Sequence, residues 1–579
     1  MNADRLLALY EKVAEAPDAV SRLRRFVLDL AVRGKLVAQD AGDEPASELL
    51  KRIATEKARL VKAKAIRKPR AVSPLEPEDP PFPLSRGWAW TQIAELGIIS
   101  PRNEADDTLE GSFVPMPMIA AEYGVANGHE PRPWGEIKKG YTHFAEGDVG
   151  LAKITPCFEN GKSTVFRNLT GGVGAGTTEL HVVRPLFVEA DYIVLFLKSP
   201  QFIETGIPKM TGTAGQKRVP TEYFTSSPFP LPPLAEQRRI VAKVEELMAL
   251  LDRLEAARSA REATRDRLTA ASLARLTAPY ADPAEFPANA RFALATLPAF
   301  TTRPDQIKPL RQTILNLAVR GKLVDQDPND EPASEFLKRI AAQKARLVKS
   351  GKIRKQKTLP PIGDKETSFK LPSGWTWVRL GDLSQFVTSG SRDWAKFYAN
   401  EGAIFVRMGN LSKDHYRLRL ENIQRVNPPA SGEGTRTRLK GGDILISITG
   451  DVGMLGLIPE DFGDAYINQH TAMVRPMPEI RGRYLAELFR SPFAQDQFNA
   501  PQRGIKNSFR LTDITQFVVP LPPLAEQHRI VAKVDALMAL CDRLEAALTT
   551  ADTTRARLLE ALLHEALAPA AEAVTEAAE

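Results

Sequence analysis

Residues 230–255, PLPPLAEQRRIVAKVEELMALLDRLE, return almost letter for letter as residues 520–545, PLPPLAEQHRIVAKVDALMALCDRLE. The pair Pro232-Pro233 marks a helix start, because proline is tolerated only before or within the first turn. Apolar residues then fall at Ile240, Val244, Leu247, Leu251 and Leu254, an alternation of four and three that predicts a coiled-coil seam. The second copy repeats it as Ile530, Val534, Leu537, Cys541 and Leu544. Alanine-rich sequence without glycine or proline carries the two helices to about Ala278 and Ala568. Each would be roughly 43 residues and ~65 Å long, more than a compact domain needs.

A second block is also written twice. Residues 30–68, LAVRGKLVAQDAGDEPASELLKRIATEKARLVKAKAIRK, return as residues 317–355. Leu23, Phe26, Val27 and Leu30 make an apolar helix face that stops at Gly34, in the manner of a C-terminal glycine. Asp43-Glu44-Pro45 opens a second helix with Leu49, Leu50, Ile53, Leu60 and Val61 on one side, and Asp330-Glu331-Pro332 opens its counterpart. The basic end of the first copy (Lys57, Arg59, Lys62, Lys64, Arg67, Lys68) reads either as a solvated helix end or as a phosphate contact. Proline-rich joints follow, Pro69 to Pro83 and Pro360 to Pro372.

The offsets of 287 and 290 are close to half of the 579 residues, so the chain divides near 1–287 and 288–579. A period this long indicates a duplicated domain pair and not a solenoid. The finer division is a helical frame region 1–72, a domain 73–230, a central frame 231–359, a second domain 360–520 and a terminal long helix 521–579. The central frame would hold the long helix 234–278 and helices near 308–320 and 331–350.

The segments enclosed by the repeats, roughly Gly87–Phe229 and Gly374–Val519, share an opening Gly-Trp-x-Trp and a mid-segment Gly-Asp, and little else. Strand-like runs occur at 148–153, 179–183, 403–407 and 443–447, with short helices near 192–198 and 484–489. Each segment is expected to fold as a small α/β or α+β domain with long loops. Two copies of one frame around two different inserts suggest a molecule that reads two different things at a fixed separation.

Catalytic signatures are missing. Pro156 to Ser163 ends like a phosphate-binding loop, but proline replaces the first glycine. Asn427-Pro428-Pro429-Ala430 lacks the aromatic that an adenine methyltransferase stacks on a flipped base. The run from Gly171 to Gly176 reads as a flexible loop. Seven histidines without ligand spacing and only Cys157 and Cys541 supply neither a metal site nor a disulfide framework. No apolar run approaches the ~20 residues that span a bilayer, and no signal peptide is evident, which fits a cytoplasmic protein. The net charge of +7 leans weakly towards a polyanionic partner.

Polar and basic loop residues of the kinds that touch DNA are present in both inserts. In the first they are Lys153, Thr155, Lys162, Gln216, Lys217 and Arg218. In the second they are Ser389, Arg392, Lys396, Arg407, Gln469, Arg503, Lys506, Asn507 and Arg510. For any one of these, an ordinary surface role is the alternative.

At Pro-Leu-Pro-Pro-Leu-Ala-Glu-Gln (230–237 and 520–527) the chain resembles the specificity subunits of type I restriction–modification systems. The likeness extends through residues 310–323, the Gly-Asp pairs at 147 and 442, and Asn468-Gln469 before Val474-Arg475-Pro476. A full helical block before the first insert departs from many members and resembles a circular permutation of the frame. The resemblance implies two target recognition domains on double-stranded DNA, separated by long antiparallel coiled-coil helices about a pseudo-two-fold. It also implies two modification subunits that bind S-adenosylmethionine, and restriction subunits that use ATP and Mg. This chain itself would be non-catalytic, with no cofactor or metal. A stand-alone restriction or methylation enzyme and a protein-only coiled-coil adaptor are the competing readings.

Overall fold

A computed structural model describes residues 14–68, 80–213, 215–278, 283–428, 434–500 and 508–567. The chain forms two compact units. The first comprises Met1–Ala260 and Asp552–Glu579, the second Arg261–Ala551. The division therefore falls inside a helix and not near residue 287, and the end of the chain belongs with its beginning. The reason lies in the second halves of two 44-residue helices, Leu234–Thr277 and Leu524–Leu567. In the first unit Leu559, Leu562 and Leu563 are buried against Ala16 and Ala19, with Leu23 and Phe26 packed on them. In the second unit Leu273 and Leu276 are buried with Ala293 and are flanked by Leu310 and Leu317.

Frame helices Ala19–Val32 and Ala46–Lys62 precede the first insert, and Ile307–Val319 and Ala333–Lys349 precede the second. A further helix, Phe286–Phe300, carries Pro298 inside it. Gly34 and Gly321 end the first helix of each pair at positive φ, +66° and +65°, where a side chain would be strained.

The heptad-like positions are filled from within each unit. Ile240, Val244 and Leu251 are buried with Val27, Leu28, Leu49, Ile53 and the first insert, and Leu247 and Leu254 pack on that cluster. Ile530, Val534 and Cys541 are likewise buried with Ile314, Leu315, Phe336 and the second domain, and Leu537 and Leu544 pack on them. Each fully buried side chain of this size contributes about 1.5–3 kcal/mol. Burial also raises the pKa of the Cys541 thiol.

The repeated motifs pin each insert at both ends. Ala89–Gln92 pairs antiparallel with Pro228–Leu231, and Thr376–Arg379 with Val518–Leu521. Behind these ribbons Trp88 Nε1 donates to Glu236, Tyr192 Oη to the Pro230 carbonyl and Gln237 Nε2 to the Pro232 carbonyl. Trp375, Tyr484 and Gln527 make the same three bonds to Glu526, Pro520 and Pro522. Arg239 pairs with Asp43, and Arg529 with Asp330, both at 2.6 Å. The second joint is not a bare linker, because Arg379 holds the Pro360 and Pro361 carbonyls and both oxygens of Glu366. Residues 69–79 of the first joint lie outside the described residues.

The inserts share more than their sequences show. One sheet has the order Gly97–Ile99, Leu180–Pro185, Val149–Ala152, Ser163–Val165 in the first domain. The second domain repeats that order as Ser384–Ser389, Thr471–Pro476, Ile444–Ser447, Leu455–Leu457. A second sheet is built around one parallel pair, Glu110–Val114 with Val173–Gly176 and Ala403–Val406 with Ala465–Ile467. The glycine run expected as a flexible loop is thus largely this buried strand. A Cβ at Gly174 would lie 2.3 Å from the Phe144 ring and 2.7 Å from the Ser112 carbonyl, so only glycine fits. The edges of the second sheet differ. Thr142–Ala145 pairs with the Val173–Gly176 strand in the first domain, whereas Tyr398–Ala399 extends the opposite side in the second.

Candidate nucleic-acid interface

The Gly-Asp and Arg-Pro motifs fix the register of both domains. The buried Asp148 carboxylate takes two bonds from Arg184 at 2.8 Å and caps the turn at Ala145 N. Asp443 does the same with Arg475, at 2.7 and 2.6 Å, and caps Lys440 N. Burial raises the pKa of Asp148, and Arg184 opposes that shift. With these strands in register, Lys153–Ile154 corresponds to Ile448–Thr449, and Thr177-Thr178-Glu179 corresponds to Asn468-Gln469-His470.

These segments leave adjacent strand ends and meet. In the first domain Lys153 N donates to the Glu179 carbonyl and Val219 N to the Lys153 carbonyl. Ile154 bridges Arg218, which also bridges Thr211. Thr155 N donates to the Lys217 carbonyl, and Lys217 N to Thr155 Oγ1 at 3.1 Å. The fold therefore brings together Lys153, Thr155, Gln216, Lys217 and Arg218, with Gln216 and Lys217 exposed. Arg218 is not a free cation. It grips Glu179 through two bonds of 2.9 and 2.8 Å, which hold that carboxyl below its ordinary range. His181 anchors the same segment by donating to the Val219 carbonyl at 3.1 Å, and burial pushes its pKa down to about 4.

Lys162 stands apart from this group and donates to the Met116 carbonyl at 3.3 Å. Beside it the buried Lys198 ammonium holds the carbonyls of Ala120, Ala121 and Gly161, and burial pushes its pKa down to about 7. The phosphate-loop look-alike ends here, since Ser163 opens a strand and not a helix.

In the second domain Thr449 bridges Ser508, and Ser391 bridges Asn468. Ser389 closes the strand paired to Thr471–Pro476, and Arg392 is exposed just beyond it. Arg407 follows Val406, the last residue paired with the Ala465–Ile467 strand, and its N–H donates to Asn410 Oδ1 at 2.9 Å. Lys396 lies over the Phe397 ring, 5.1 Å from its centroid. Arg510 is exposed and begins the helix Leu511–Gln516, its N–H capped by Asp513. Arg503, Lys506 and Asn507 lie outside the described residues, as do Pro429 and Ala430. Among the described residues no three His, Cys, Asp or Glu side chains converge as a metal site, and no helix is long and apolar enough to cross a membrane.

Comparison with known proteins places this geometry. Residues 372–551 match the family described as "Type I restriction modification DNA specificity domain". The chain is 40% identical over 557 residues to the Type I restriction enzyme EcoAI specificity subunit of Escherichia coli, covering 95% of this chain and 94% of that one. It belongs to the type I restriction enzyme specificity subunits. The EcoEI specificity subunit of Escherichia coli is also 40% identical, over 562 residues and the same shares of both chains. This specificity subunit shares its fold with a chain in the structure reported as "Structural basis underlying complex assembly and conformational transition of the type I R-M system". That likeness has a TM-score of 0.51 and 21% identity, and covers 84% of this chain and 99% of the other.

Sequence reasoning had no signal for Glu179, Thr449 and His470 as supports of the loop. Aligning Val182–Pro185 with Met473–Pro476 would have set Thr178 opposite Gln469.

Proposed function

We propose that this specificity subunit reads double-stranded DNA and performs no chemistry itself. Its two recognition domains read the two unlike halves of a bipartite, asymmetric site. The long helices pair antiparallel, set the gap between the halves, and dock two modification subunits, adenine N6-methyltransferases that hold S-adenosylmethionine. Restriction subunits using ATP and Mg complete the assembly, which works in the cytoplasm. The observation that carries this reading is one scaffold, with the same ribbon pairing and the same three hydrogen bonds behind it, used twice around different loop chemistry. Thr178 with the Arg218–Glu179 pair occupies the place that Gln469 with Thr449–His470 occupies in the other domain. A duplex presents comparable groove faces one turn apart, ~34 Å, which suits two related domains on a near-symmetric frame.

Mapping N6-methyladenine across the host genome with and without this gene tests the reading. One bipartite motif with a fixed gap should vanish on deletion. An unchanged methylome in a strain that expresses the complex would refute it. Purified alone, the chain should show no S-adenosylmethionine binding by calorimetry.

A further inference from the structure

Asn468-Gln469-His470 is one of the connections between the two sheets of the second recognition domain, leading from Ala465–Ile467 into Thr471–Pro476. Asn468 Oδ1 accepts from His470 N and Thr471 Oγ1, both at 3.2 Å, and these bonds hold the turn. His470 Nδ1 meets Thr449 Oγ1 at 2.7 Å, and His470 Nε2 meets Gln469 Nε2 at 2.9 Å. An amide NH2 group only donates, so His470 Nε2 accepts in that contact. A neutral imidazole with an accepting Nε2 carries its proton on Nδ1, which then donates to Thr449 Oγ1. The Thr449 hydroxyl can accept that proton, so the two contacts are mutually consistent with the amide NH2 facing His470.

With one N–H committed to His470, Gln469 retains one N–H and its carbonyl oxygen. That donor–acceptor pair complements N7 and the N6 amino group of adenine in the major groove. Guanine presents two acceptors there, and its O6 would face the amide oxygen. Were the amide free to turn over, this discrimination would weaken.

We propose that Gln469 is a base-reading residue of the second recognition domain, selective for adenine, with His470 and Thr449 as its positioning residues. The inference rests on the DNA-reading function above and adds to it a base and a residue. The first domain is built alike at this place but differently equipped. There Thr178 is exposed, and the following residue, Glu179, is fastened by Arg218 instead of by a hydroxyl. One position on a shared scaffold thus carries different chemistry in the two domains, as a determinant of two unlike half-sites must.

The test uses the full chain assembled with its modification subunits. Methylated motifs are mapped, and binding is competed with duplexes in which each base pair of the second half-site is replaced singly. The wild type should discriminate strongly at one adenine, and Gln469→Ala should reduce that discrimination by about 10- to 100-fold. Every other position and the first half-site should be unaffected. Gln469→Met, which keeps the volume without donor or acceptor, should behave alike. His470→Ala and Thr449→Val should weaken discrimination at the same base pair, and Thr449→Ser should retain it. A uniform loss of affinity for all duplexes would overturn the inference, because a merely structural loop loses binding without choosing a position. Unchanged discrimination in Gln469→Ala would overturn it while leaving the proposed function intact. A wild-type complex without a bipartite motif would overturn both.

Discussion

Trp88 Nε1 donates to the buried Glu236 carboxylate at 3.0 Å, and Trp375 does the same to Glu526 at 2.9 Å. The residue that opens each insert is thereby tied to the helix that follows it, 148 and 151 positions later. Burial raises both carboxyls above their ordinary range, and the indole bond works against that shift. Trp88→Phe should keep most of the apolar contact and remove the donor, at a cost of about 1–3 kcal/mol. Glu236→Gln keeps an acceptor and should cost less. Denaturant unfolding of the two variants checks this, and equal midpoints for Trp88→Phe and wild type would show that the bond is not a clamp.

Asp29 is buried in the first frame helix, and burial pushes its carboxyl up to about 6. Its Oδ1 and the Arg33 Nε have no hydrogen-bond partner. The repeat-equivalent residue is Asn316, whose Oδ1 accepts from Arg320 Nε at 2.8 Å. Because the folded pKa lies above the unfolded value, the contribution of Asp29 to stability is full below about pH 4. It is lost as pH rises through 6. Asp29→Asn should therefore match wild type near pH 4 and exceed it by about 2–3 kcal/mol above pH 7. Unfolding at several pH values decides it, and a difference independent of pH would exonerate Asp29.

The two Gly-Asp carboxylates should differ in sensitivity. Asp443 and Arg475 are almost wholly enclosed, with side chains 0% and 8% exposed, whereas Arg184 beside Asp148 is 31% exposed. Removing one partner of an enclosed pair strands the other charge, at a cost of about 3–5 kcal/mol. Asp443→Asn should destabilise the second recognition domain by that order. Asp148→Asn should cost the first less, because Arg184 keeps water. Limited proteolysis resolves the domains, and equal losses would show that exposure of the arginine does not matter.

The frame could be read from the sequence because its contacts recur with it: Trp88 and Trp375, Asp43 and Asp330, Gly34 and Gly321. The likeness of the inserts could not. Their strands are two to six residues long, too short for periodicity to separate from turns, and the two second sheets extend at opposite edges. Gly171 to Gly176 read as a loop by composition, whereas Phe144 and neighbouring backbone demand the missing side chains. Lys153, Thr155 and Lys217 were legible as residue types, but their meeting depends on the bridge between Ile154 and Arg218. Arg218 itself looked free in sequence and is spent on Glu179. Helix Phe286–Phe300 was hidden by Pro287 and Pro298.

The paired ribbons define where one domain can replace the other. Gln92 lies opposite Pro228, and Arg379 lies opposite Val518, so each insert hangs from the inner end of a two-stranded joint. Replacing residues 93–227 with residues 380–517 leaves both strands of the first joint, Trp88 and Glu236 in place. A cut that took one strand from each source would instead mismatch the ribbon. The resulting chain carries the second recognition domain twice on an unaltered frame. If each insert reads one half-site, the first half of the methylated motif should become the element that the second domain reads. The second half and the gap should not change, because the helix Leu234–Thr277 is untouched. Methylation sequencing of cells carrying the graft with its modification subunits reads all three quantities at once. A changed gap would show that the insert contributes to the ruler, and a changed second half would show that the domains do not read independently.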